Sequence, residues 1–102
     1  MAIPRGSTPT HIFEIPFDTE IVKKVRITYA QNDEEILSKK TEDCTIVGNE
    51  VITELTQAET LLFNHSYPVQ IQIKVLDVND KIHTSDVIVK SVKKCLNEEV
   101  LE

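Results

Sequence analysis

The stretch Val69-Gln-Ile-Gln-Ile-Lys-Val75 alternates apolar and polar residues without a break. Val69, Ile71, Ile73 and Val75 fall on one side of an extended chain, and Gln70, Gln72 and Lys74 on the other. A period of two defines a strand with one face on a core and one in water. On a helix the same aliphatics would scatter around the circumference. The remaining segments are read as neighbours of this strand.

The 102 residues suit one domain. Only five residues are aromatic and none is Trp, so the core must be aliphatic. With two Gly for many turns, Asn and Asp must supply much of the turning. The net charge is −6 and no basic run exceeds two residues, which argues against nucleic acid and anionic membrane surfaces as partners. No segment resembles a signal peptide or approaches the roughly 20 apolar residues of a membrane span. The expected location is therefore cytoplasmic, without signal-peptide secretion, and Cys44 and Cys95 should stay reduced.

Residues 1–10 carry two of the four prolines and read as an extended arm, either frayed or ordered against a neighbouring subunit. His11–Phe17 reads as a strand with Phe13, Ile15 and Phe17 on one face, and Pro16 means that it lies at an edge or ends there. Ile21–Gln31 is the next strand, with Val25, Ile27 and Tyr29 inward. Asn32-Asp33 turns the chain into Glu34–Lys40, a short strand around Ile36 or Leu37 whose basic end suits an exposed edge. Gly48-Asn49 signals a two-residue hairpin before Val51–Leu55. Thr56-Gln57-Ala58-Glu59 fits a capping box for a short helix that can cross between sheets. Asp77-Val78-Asn79-Asp80 then turns the chain into a last long strand, Ile82–Val92. Its run Val87-Ile88-Val89 suits burial on both faces or a bend. Residues 93–102 form an acidic tail or short helix.

About seven strands with turn signals at 8–12 residue spacing predict an all-β antiparallel sandwich. Its domain would span residues 11–92. The strand, capped helical turn and strand across Thr56–Val69 resemble the inter-sheet crossover of immunoglobulin-like domains, with Tyr67 near the place of their tyrosine corner.

No constellation supports an enzyme. His11, His65 and His83 lie on separate segments, and no serine has a recognisable base nearby. Cys44 follows Asp43, which disfavours a thiolate; Cys95, next to Lys93-Lys94, is the better candidate for reactivity, though a packed tail thiol is the favoured reading. Asp77, Asn79 and Asp80 imitate the calcium linker of cadherin repeats, but no further acidic motif joins them and Lys81 follows, so they read as a hairpin turn. No catalytic residue, cofactor or metal is expected.

The arm Ile3-Pro4-Arg5-Gly6-Ser7-Thr8-Pro9-Thr10, the Phe-rich strand after it, Cys44–Phe63 with its Gly-Asn turn and Leu-Thr-Gln-Ala-Glu-Thr helix, and Thr84-Ser85-Asp86 form a pattern over nearly the whole chain. That pattern resembles small tail-region proteins of bacteriophages and prophages of Gram-positive bacteria. It also looks like the N-terminal immunoglobulin-like domain of phage baseplate upper proteins. The resemblance implies a structural or assembly protein acting through contacts with other tail or baseplate proteins, or with its own copies. It would reside in the bacterial cytoplasm and then the virion. Ile3, Pro4, Arg5, Leu96, Val100 and Leu101 are the residues expected at such contacts. An immunoglobulin-like binder of a host-surface carbohydrate or protein is the alternative.

Overall fold

The computed structural model describes residues 2–98 and residue 100. Among these residues the strands, in chain order, are β1 (Ile3–Pro4), β2 (Thr10–Glu14), β3 (Val22–Gln31), β4 (Glu34–Lys40), β5 (Thr45–Val47), β6 (Glu50–Glu54), β7 (Val69–Asp77), β8 (Ile82–Thr84), β9 (Ile88–Lys90) and β10 (Val92–Lys93). One helix of four residues, α1 (Gln57–Thr60), lies between β6 and β7.

Strands β2–β6–β5 form one antiparallel sheet. The other runs β4–β3–β7, with β8 and β9 both paired to the far side of β7. The chain changes sheet between β2 and β3, between β4 and β5, and through α1 between β6 and β7. That connectivity is the one of an immunoglobulin-like sandwich. Val69, Ile71, Ile73 and Val75 are all buried, as their alternation requires, and Val25, Ile27 and Tyr29 of β3 lie beside them. Val51 and Leu55, with Ile15 and Phe63, complete the core from the other side.

The turns follow the sequence closely. Asn32 and Asp33 both take positive φ, 52° and 61°, and join β3 to β4 in a two-residue loop. Gly48, at φ 61°, opens the β5–β6 loop. The Thr56 hydroxyl accepts from the Glu59 amide at 3.1 Å, and a Glu59 carboxylate oxygen accepts from the Thr56 amide at 2.8 Å. A register shift between Tyr29 and Ala30 leaves Ile36 as the extra residue of β4, so Ile36 and Leu37 are both half-buried.

Ten strand segments stand where about seven are predicted, for two reasons. The first is the arm: β1 pairs in parallel with β10, Ile3 opposite Val92, and Ile3 is only 2% exposed. The arm is a packed element of this domain, because Ile3 gains more by burial than by solvation. The second is a break in the predicted strand Ile82–Val92. Thr84 pairs with Lys74 and Ile88 with Ile71, so three residues of this segment face two of β7. The Ser85 hydroxyl accepts from the Ile73 amide at 3.1 Å and holds the bulge in place. A bulge of one residue exchanges the faces of the strand beyond it. The run Val87-Ile88-Val89 therefore marks a bend rather than burial on both faces, and on this sheet edge all three are exposed. β4 is an edge of its sheet, as its basic end suggests, and Lys40 is exposed there, but Lys39 is buried on the inward face.

Candidate interaction site

The arm and the segment 91–98 meet beside α1. Within the arm, the Ile3 amide donates to the Ser91 carbonyl (2.8 Å) and the Arg5 amide to the Lys93 carbonyl (3.1 Å). The Thr60 hydroxyl donates to the Ser7 carbonyl at 2.9 Å, and the Leu55 amide to the Pro9 carbonyl at 3.0 Å. Arg5 lies across the junction. Its Nη2 donates to the Leu61 carbonyl at 2.9 Å, and its Nη1 pairs with the Glu98 carboxylate. Gly6 suits this place: its φ is +76°, which strains any other side chain, and a Cβ would lie 3.2 Å from Cys95 Sγ.

This geometry divides the residues expected at partner contacts. Ile3 is corrected, because a side chain buried in its own domain is not available to another protein. Arg5 is largely consumed by Leu61 and Glu98. Pro4 and Val100 are exposed, and Leu96 is 96% exposed. Leu101 lies outside the described residues. The short β1–β10 pairing explains why the sequence did not announce the docking: two residues carry no detectable periodicity.

The strand that Pro16 marks as an edge or as ending there is a sheet edge in the fold, and it stops at Glu14. Strand β2 pairs with β6 on one side only, and no described strand pairs with its other edge. Between that edge and β9 opens a groove of about 330 Å³, with Ile12, Phe13, Ile88 and Lys90 among its walls. Ile12 is 57% exposed. At the groove, His11 Nδ1 lies 2.7 Å from the Tyr29 hydroxyl. Burial, with the nearby Lys90 charge, pushes the His11 pKa down; burial, then the Cys44 and Glu59 charges, pushes the Tyr29 phenol up. Both groups are therefore neutral at pH 7, and the phenol can donate to Nδ1.

The residues that imitate a calcium linker are used otherwise. Asp77 Oδ1 accepts from the amides of Asn79 (2.8 Å) and Lys81 (3.0 Å), and Oδ2 lies 2.9 Å from His83 Nε2. These contacts, His83 first, hold the Asp77 carboxyl below its ordinary pKa. Asp80, at φ 62°, pairs with Lys23. The three residues form the β7–β8 turn, and among the described residues no group of three His, Cys, Asp or Glu is placed to hold a metal. Both cysteines are free. The Cys44 thiol pKa is raised, by burial first and only then by Asp43.

Tyr67 does not act as a tyrosine corner; its side chain is exposed and its hydroxyl has no described partner. Buried Gln31 does that work instead. Its amide nitrogen donates to the carbonyls of Asn64 (2.7 Å) and Tyr67 (2.9 Å), and its oxygen accepts from the Asn64 amide (2.9 Å). These bonds tie the end of β3 to the loop that enters β7. No protein-family model, curated protein or solved structure matches the chain.

Proposed function

We propose that this chain is a non-enzymatic structural or assembly module of a bacteriophage or prophage tail, working through protein–protein contacts. The observation that carries the contact role is the unpaired β2 edge with exposed Ile12 beside it, across a groove from exposed Ile88. A free edge is a template for strand addition, which folded proteins usually blunt with charge or cover. The resemblance of the arm, the Gly-Asn turn and the capped helix to tail-region proteins supports the phage setting. Other tail or baseplate proteins, or further copies of this chain, are the partners of this reading.

A carbohydrate-binding role finds less support. Of the five aromatic side chains Tyr67 alone is exposed, so an aromatic platform for a sugar ring is hardly available.

Two measurements test the proposal. The protein should copurify with intact particles, as detected by mass spectrometry. Light scattering over a concentration series should show self-association or complex formation with another tail protein, and Ile12→Lys should abolish it. Consistent absence from particles would overturn the phage reading; indifference to Ile12→Lys would overturn the edge as the contact.

A further inference from the structure

The outer face of the larger sheet carries charge opposite to that of the chain. Arg26 of β3 is the register partner of Lys40 on β4 and of Lys74 on β7. All three alternate with buried neighbours, so they point outward side by side across three adjacent strands. Lys24 follows on the same face of β3, opposite Leu76, which in turn pairs with Ile82. These residues line an open concavity of about 750 Å³. Five of the eleven Lys and Arg line it, against two acids, Glu35 and Glu42, in a chain of net charge −6.

Like charges directly opposite one another on neighbouring strands destabilise a sheet. Among the described residues, none of Lys24, Arg26, Lys40 or Lys74 has an acidic side chain within ion-pair distance. The row therefore costs stability and receives no return within the fold. A concave surface on which one sign predominates focuses its field and gathers oppositely charged groups.

We propose that this concave sheet face is the docking site for an acidic segment of a partner protein, whose carboxylates meet the Lys40–Arg26–Lys74 row. Charge complementarity sets the sign of the partner. The rest of the lining sets its class. No aromatic residue lines the concavity, so it offers neither nucleobase nor sugar a stacking surface. Leu76 and Ile82, the latter 65% exposed, add an apolar end that suits a polypeptide side chain. The site uses a different sheet from the β2 edge and stands without it.

Fluorescence anisotropy of a labelled oligoglutamate peptide tests the proposal, with a heparin fragment and single-stranded DNA as competing polyanions. Oligoglutamate should bind, and weaken with added salt. The double replacement Arg26→Glu, Lys74→Glu should weaken it about tenfold or more, which is the scale of one strong charge contact. Lys94→Glu, also basic and exposed, should leave it unchanged, as should Ile12→Lys. Absence of binding, or equal binding by the double variant, would overturn the proposal. Preference for heparin or DNA over oligoglutamate would overturn the polypeptide assignment. Thermal unfolding supplies a second readout. Arg26→Thr should raise Tm by relieving the like-charge row, and a fall in Tm would make the row structural instead.

Discussion

Lys39 Nζ lies 2.7 and 2.8 Å from the two carboxylate oxygens of Glu59, and this pair ties edge strand β4 to the crossover helix α1. The lysine is 9% exposed in its side chain and the glutamate 25%, so the two ends are desolvated unequally. Burial would raise the Glu59 pKa, but the Lys39 ammonium and the Thr56 amide outweigh it and hold it low. Glu59→Gln keeps the capping bonds that a Gln can make and removes only the charge. It should cost about 1–3 kcal/mol, because an ammonium stays buried without its partner. Lys39→Met leaves the better solvated carboxylate instead and should cost less. Urea unfolding of both variants checks the order, and equal costs would contradict the asymmetry.

The hydrogen bond between His11 and Tyr29 predicts a pH dependence near neutrality. The folded His11 pKa lies below the unfolded value of about 6.5. The unfolded chain therefore binds more protons in the window between the two values, and stability must fall as pH is lowered through it. Protonated Nδ1 also becomes a donor, so the Tyr29 hydroxyl could no longer donate to it. Tm should decline on going from about pH 7 to pH 5, above the range where carboxylates titrate. His11→Gln should flatten that decline, and a slope unchanged by the substitution would place its origin elsewhere.

How far the sequence announces this structure depends on how many residues repeat a signal. Strands β3 and β7 carry four or five alternations each, and their buried hydrophobic residues are legible one by one. The Asn-Asp and Gly-Asn turns and the Thr56 capping box are legible because a few residue types satisfy their backbone needs. Lys39 was open to the same reasoning: it keeps parity with Leu37, which places it inward. What the local pattern cannot hold is any pairing between distant short segments. The β1–β10 ladder, the Ser85 bulge and the Gln31 bonds each depend on a partner supplied by the fold. The outward row Lys40–Arg26–Lys74 is of the same kind, since it exists only once the registers of three strands are known.

The Asp77 turn predicts the response to calcium and to acid. Two amides and the His83 ring already occupy the Asp77 oxygens. Adding calcium to about 1 mM, the weak end of extracellular calcium modules, should leave Tm unchanged. A rise would revive the metal reading of Asp77, Asn79 and Asp80. The Asp77 pKa is depressed by folding, so its contribution is present above the unfolded value of about 3.9 and is lost as pH falls through the lower folded value. Asp77→Asn should therefore lower Tm at pH 7 and flatten the loss seen below pH ~4.

The arm supplies the sharpest test of the fold itself. Ile3 is 2% exposed and joins the core cluster, although it belongs to a strand of two residues near the chain's start. Removing a buried Ile side chain to Ala costs the lost transfer energy plus the cavity it leaves, about 2–5 kcal/mol. That is a large share of the 5–15 kcal/mol that holds a typical domain of this size, roughly speaking. Ile3→Ala should shift the urea midpoint strongly downward, while Pro4→Ala on the exposed side of β1 should shift it little. Both substitutions leave the backbone bond between the Ile3 amide and the Ser91 carbonyl available, so the contrast isolates the side chain. An arm that ordered only against a neighbouring subunit would give the opposite result: Ile3→Ala would leave the isolated protein's unfolding unchanged and would weaken association instead.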